Sequence, residues 1–415
     1  MSHRESSFGF LPSLFDTLRS LTMGLGMTAV VSLFLAPTAC AQVGMPPAGR
    51  RSDILRTLPI TKFYDAPSPL PAGKPGELIR SEEFDRYELP ETVSAVRILY
   101  HSRSAVGQDV AASGIVLFPY DKKPPAGGWP VITWAHGASG VARSCAPSLM
   151  RNVGNGPFLS MYVNLGYAIV AADYTGLGTD FRNAFLDAPS NATDVINSIP
   201  AARAAVPQLG ARWIVMGEAE GGLTALAVAE REAAVRDAGY LGAIAISDIA
   251  SAQEIYQHST HGSSTFFLIS LVYGTKTVYP QFQERDVLTE KAIAFYHSIG
   301  QVCSEGRNLS GLSTAEIVKP DWENNAFVRQ YFMRNTLGQT KALGPILVIS
   351  GDSDQAILEA ATAPAIGRMC KQGDRVQWER YPAFDPGRVI GDSVRDQIEW
   401  IESRFSSRPA ATNCP

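Results

Sequence analysis

The stretch ARWIVMGEAEGGLTALAVAEREA, residues 211–233, reads as strand, tight turn and helix, and the organisation of the chain follows from it. Upstream, GYAIVAADYTGLG at 166–178 reads as a strand and loop, followed by a helix from about Ala192 to Ala205. Before it, WPVITWAHG at 129–137 is a buried strand ending in a Gly-containing loop. AVRILYHS (95–102) and ASGIVLFP (112–119) flank the turn AVGQD, as in a hairpin. Downstream, LGAIAIS (241–247) and GPILVISGDSD (344–354) continue the strands; a helix near EAATAPAIGRMC, the strand VQWERYP and the helix RDQIEWIESRF close the chain. Strands alternating with helices at this spacing predict an α/β fold with a mostly parallel sheet covered by helices on both faces.

The alternation lapses between about Asp248 and Thr340, where SSTFFLISLVYGTKTVY and LTEKAIAFYHSIGQVC are helical, so this span is expected to be an inserted cap or lid. Its apolar residues Phe266, Phe267, Leu268, Leu271, Val272 and Tyr273 either bury the cap against the core or line an acyl-chain pocket. DAPSPLPAGKPG (65–76) is too rich in Pro and Gly for a helix or a central strand and is expected to run extended over the surface. The expected organisation is a leader at 1–41, the core at 42–247 and 341–405, the cap at 248–340 and a tail at 406–415.

The leader reads LTMGLGMTAVVSLFLAPTACAQ at 21–42, a short apolar run ending in Ala39-Cys40-Ala41, the layout of a secretory signal cleaved after Ala41. The run is shorter than the ~20 residues of a spanning helix, so no stable membrane span is expected after cleavage. Cys40 offers lipid attachment as an alternative, against which stands Pro37 at a place where such motifs carry an aliphatic residue. The mature chain is thus expected to be secreted or periplasmic. It keeps four cysteines, Cys145, Cys303, Cys370 and Cys414, which in an oxidising compartment read as two disulfides with three possible pairings. No C-x-x-C spacing suggests a metal, and no cofactor motif is present. With a formal charge of −4 and no Lys/Arg run to neutralise phosphates, nucleic acid is not an expected partner. Asn191 and Asn308 each open a glycosylation sequon, a motif too short to carry an inference.

The turn GEAEGG at 217–222 has the G-x-x-x-G-G spacing of a nucleophile elbow, in which a strained strand-to-helix turn lifts one side chain above the sheet. The residue at that point is Ala219, whose methyl group cannot attack a substrate. Read with PLPAGKPGELIRSE (69–82), VITWAHGASGVARSCAPS (131–148), AADYTGLGT (171–179) and GDSD (351–354), in this order and spacing, the chain resembles the secretory lipase family of α/β hydrolases over about Phe63 to Phe405. The resemblance implies a Ser-Asp-His triad and an oxyanion hole. It places the nucleophile at Ala219, the acid at Asp354, and one oxyanion donor near His136, Gly137 or Ala138. The base falls in YPAFDPGRV, at Pro386. It also implies the pairings Cys145–Cys303 and Cys370–Cys414.

Asp354 alone survives as a triad member. None of the six histidines (His3, His101, His136, His258, His261, His297) follows it, although His258 and His261 belong to the expected cap. Glu218 and Glu220 flank Ala219 where the family usually has neutral or basic groups. Ionised, Glu220 would oppose a developing oxyanion; the alternative is that both glutamates turn aside and pair with Arg or Lys. A glycosidase-like carboxylate pair or a hard-metal site cannot be read from this spacing. The sequence therefore predicts an inactive homologue that binds a lipid-like ligand or a protein partner. The alternatives are an active lipase or carboxylesterase using a substitute nucleophile such as Ser139, Tyr174 or Thr224, and a relic whose pocket has filled.

Overall fold

Among the described residues nine strands form one sheet in the order β1-β2-β3-β5-β4-β6-β7-β8-β9. The strands are β1 Leu78–Glu83, β2 Val93–Arg103, β3 Asp109–Pro119, β4 Trp129–Ala135, β5 Ala168–Ala172, β6 Leu209–Glu218, β7 Tyr240–Ile246, β8 Ile346–Gly351 and β9 Val376–Tyr381. This is a computed structural model describing residues 57–247, 251, 253–254, 265–303, 312–351, 356–381 and 386–414, with backbone alone for 356–361 and 386–387. The leader and its Cys40 lie outside the described residues.

β1 to β3 pair antiparallel, β3 runs antiparallel to β5, and every pairing from β5 through β4 to β9 is parallel. The hairpin closes as expected, with Arg103 opposite Asp109. The strand β1 was not legible, because LIRSEE is a half-exposed edge strand without apolar alternation.

The helices are α1 Gly156–Asn164, α2 Ala188–Ala205, α3 Glu220–Val235, α4 Thr265–Val278, α5 Glu290–Ile299, α6 Thr314–Ile317, α7 Ala326–Arg334, α8 Ala356–Lys371, α9 Pro386–Asp392 and α10 Val394–Phe405. Alternation along the strands shows that both sheet faces are covered. Val131 and Ala135 of β4, with Trp213 and Val215 of β6, pack with residues of α2 and α3, whereas Ile132, Trp134, Ile214 and Met216 pack with those of α1 and α10. The helix α2 begins four residues before the expected Ala192. Asp187 accepts from Ser190 N–H at 3.3 Å as its cap, and Pro189 lies in the first turn, where its missing N–H costs nothing. Between β7 and β8 the described residues form α4 to α7, 3₁₀ turns and isolated bridges.

Two disulfides are present, Cys145–Cys303 and Cys370–Cys414, the pairing that the resemblance implies. The first joins the segment after β4 to the end of the α4–α5 region. The second holds the C-terminal tail beside β9, where Asn413 N–H also donates to Val376 O at 3.0 Å.

Two of the stretches that carry the resemblance, PLPAG and SCAPS, have packing reasons. A β-carbon on Gly73 of PLPAG would fall 2.3 Å from the His101 ring. Ser148 of SCAPS accepts at its carbonyl from Tyr87 Oη (2.6 Å) and buried Arg97 (3.3 Å), while its amide donates to Asp173 Oδ1 at 2.8 Å. No helix among the described residues is long and apolar enough to cross a membrane.

Candidate functional site

The turn between β6 and α3 is built from close backbone approach. A β-carbon on Gly217 would sit 2.0 Å from Gly221 O, and one on Gly221 would sit 1.9 Å from Ala135 O, so side chains are excluded at both positions. Between them Ala219 has φ 52° and ψ −117°, a conformation that costs a non-glycine residue on the order of 1–3 kcal/mol. Ala219 N–H donates to Ile246 O at 3.0 Å, which ties the strained residue to the end of β7. The N–H of the next residue, Glu220, opens α3 and belongs to the set of helix-start amides that lack an intrahelical acceptor. The turn thus has the strained strand-to-helix geometry that the elbow expectation requires, around a methyl group.

The loop after β4 meets the elbow. A β-carbon on Gly137 would lie 3.6 Å from Ala219 Cβ and 3.3 Å from Glu218 Oε2, so the loop expected to supply an oxyanion donor stands beside the elbow with a glutamate over it. His136 is buried, and its ring stacks on Tyr174 with centroids 4.1 Å apart. Burial lowers its pKa and keeps the imidazole neutral, with one N–H. Its ring nitrogens face backbone oxygens, Nδ1 to Gly137 O at 2.7 Å and Nε2 to Asp173 O at 3.2 Å; the shorter contact assigns the proton to Nδ1. His136 is a packed, neutral group whose ring bonds no hydroxyl among the described residues.

The fold is shared with solved structures. The chain superposes on the rice cell wall degrading esterase LipA from Xanthomonas oryzae with a TM-score of 0.68 at 18% identity, covering 81% of this chain and 100% of that one. It superposes on Candida antarctica lipase A with a TM-score of 0.74 at 16% identity, covering 86% and 89% of the two chains. The fold is that of the α/β hydrolases. No family model matches the sequence, and no curated protein does.

Within this α/β-hydrolase frame the two glutamates differ. Glu220 is buried; its Oε1 accepts from Leu186 N–H at 2.9 Å and Asn191 Nδ2 at 3.0 Å. Burial, reinforced by the nearby Asp187 charge, pushes its pKa up to about 7. Glu220 turns aside as one alternative had it, but its partners are amides rather than Arg or Lys. At neutral pH it is only partly ionised. Glu218 is half-buried, and burial alone raises its pKa.

None of the hydroxyls named as substitute nucleophiles meets a histidine side chain among the described residues. Tyr174 Oη donates to His136 O at 3.0 Å and Thr224 Oγ1 to Glu220 O at 3.0 Å, while buried Ser139 Oγ has no hydrogen-bond partner there. His101 bonds Asp109 at 3.1 Å in the β2–β3 hairpin, and His297 lies on α5. Asp354, His258 and His261 lie outside the described residues, and Pro386 is the first residue of α9. No group of three or more His, Cys, Asp or Glu is placed to hold a metal among the described residues.

Sequence reasoning missed the buried polar frame behind the elbow. Asp173, next to the Tyr174 that stacks on His136, accepts from Ser113 Oγ at 2.7 Å and Ser148 Oγ at 2.5 Å. Asp194 accepts from Thr175 N–H at 2.6 Å and from Ser102 Oγ. An aspartate inside the apolar run AADY was the available signal for the first. Asn191 proves to be 2% exposed with its Nδ2 donated to Glu220, so in the folded protein its sequon is closed to modification.

Proposed function

We propose that this chain is an exported α/β-hydrolase-fold protein that does not hydrolyse esters at its elbow and instead binds a lipid-like ligand there. The observation that carries the reading is Ala219 itself, strained at φ 52° and ψ −117° yet bearing no reactive atom. Strain of this kind has a purpose where a nucleophile must be lifted above a sheet, and its persistence around a methyl group points to descent from a hydrolase. Pro386 at the position of the base supports the same reading, since removing Ser or His from a triad costs about a million-fold in turnover and the losses do not add. The lipase and esterase named among the similar structures suggest the ligand class. Beside Glu218, where burial disfavours a charge, a neutral lipid, an ester or alcohol, suits the site better than a fatty-acid anion. The span 248–340 would cover the ligand as a cap, and the leader 1–41 with the two disulfides supports export.

The reading of an active lipase needs a hydroxyl bonded to a histidine, and none of Ser139, Tyr174 and Thr224 bonds a histidine side chain among the described residues. The test is hydrolysis of short- and long-chain p-nitrophenyl esters by the mature chain beside the Ala219→Ser, Pro386→His double variant. The native chain is expected at the buffer blank and the double variant above it. Native turnover at or above that of the variant would overturn the proposal.

A further inference from the structure

A cavity of about 420 Å³ opens away from the elbow, between the β2–β3 turn, the first half of α2, the C-terminal end of α3 and the end of α7. Three arginines line it, Arg103, Arg231 and Arg334, together with Ser190, Thr193 and Asn197. Pro75, Ala105 and Val235 supply an apolar part.

The charges do not cancel. Arg103 pairs with Asp109 at 2.5 Å, and Arg334 grips Asp187 through Nε at 2.6 Å and Nη2 at 2.9 Å. Arg231 is exposed and has no acidic partner among the described residues, which leaves one cation in excess on the cavity wall. The Nη1 of Arg334 carries no hydrogen bond there either, so its fork keeps a donor beyond the pair with Asp187. The hydroxyls of Ser190 and Thr193 donate to Asp187 O at 3.1 Å and Pro189 O at 2.8 Å, so their protons are taken and the recognition falls to the guanidinium groups. Guanidinium forks match the paired oxygens of a carboxylate or a phosphate.

From this geometry we infer that the cavity is a binding site for a small organic anion, with a phosphate or carboxylate head on Arg231 and Arg334 and a short apolar body against Pro75, Ala105 and Val235. The site stands independently of the reading of the elbow. Its volume falls in the range of small-molecule sites. It also has a physical link to the elbow, because the Asp187 that Arg334 holds lies one residue after Leu186, whose amide bonds Glu220.

Thermal unfolding and calorimetric titration of the whole chain with inorganic phosphate and with citrate, against sodium chloride at matched ionic strength, test the site. Saturable binding of at least one of the two anions is expected, with an unfolding midpoint that rises with its concentration. Arg231→Ala is expected to weaken that binding about tenfold or more, and Arg231→Lys by less. Thr193→Glu, which puts a carboxylate into the cavity without touching any arginine, is expected to abolish it, and Ala219→Ser to leave it unchanged. Preference between the two probes then identifies the head group. Arg231 is exposed and Thr193 half-buried, so both variants are expected to fold, as their unfolding midpoints without anion will check. Absence of saturable binding of both anions, or binding that all three cavity variants retain in full, would overturn the inference.

Discussion

Ala219 concentrates the physical conflict in this molecule. Its φ of 52° with ψ −117° belongs to a region that glycine occupies freely and alanine does not. Ala219→Gly is therefore expected to stabilise the protein by about 1 kcal/mol, the relief of strain exceeding the entropy that glycine adds to the unfolded chain. Urea unfolding decides this, and a less stable glycine variant would show that the turn is unstrained. Glu220 gives a second prediction. Its pKa is raised to about 7 in the folded protein from an ordinary 4.5, so the folded state holds the proton more tightly than the unfolded state. Its contribution is fully present below about 4.5, is lost as pH rises toward 7, and stays lost above. Glu220→Gln keeps the acceptor for Leu186 and Asn191 but cannot ionise. It is expected to exceed the wild type in stability at pH 8 by up to the order of 3 kcal/mol and to converge with it near pH 4.5. Asp194, raised to about 6, slopes the same way in both proteins and cancels from the comparison. Parallel pH profiles for the two would show that Glu220 is not the titrating group.

At the scale of elements, the β6–α3 junction depends on its two glycines. With a β-carbon 1.9 Å from Ala135 O, Gly221→Ala forces the start of α3 away from the end of β4 and is expected to cost more than about 3 kcal/mol. Gly367→Ala, in α8 where a β-carbon would meet nothing within 4 Å, is the control. Equal stability of the two variants would mean that the junction has room to shift. The same close approach explains what could be read here. GEAEGG shows its turn because only glycine fits, and β6 and α3 are regular elements on either side. β1 could not be read, since an edge strand half open to water needs no apolar alternation, and α1 was missed because GPFLSMYVN begins with Gly-Pro and is short.

For the whole molecule, the two disulfides close loops of very different size, separated by 158 and 44 residues. Each is expected to contribute about 2–4 kcal/mol. Their loss should be felt in different places. Replacing Cys145 and Cys303 by Ala is expected to lower the unfolding midpoint and to speed hydrogen exchange across α4 and α5. Replacing Cys370 and Cys414 is expected to loosen the tail beside β9 with little change in α4. Identical exchange maps for the two variants would show that the bridges act only through the unfolded chain.

The sequence by itself determined the strand–helix alternation, the hairpin, the cysteine count and the absence of a nucleophile at position 219, because each is local: a periodicity, a turn residue, or an atom that a side chain lacks. The partners of Glu220 were decided only by tertiary structure. An amide from residue 186 and a side chain from α2 arrive there through folding, and burial then sets how far the carboxyl ionises. The pocket of three arginines was hidden for the same reason. Arg103, Arg231 and Arg334 are far apart in the chain and share no spacing, and packing of the β2–β3 turn, α2, α3 and α7 brings them to one cavity.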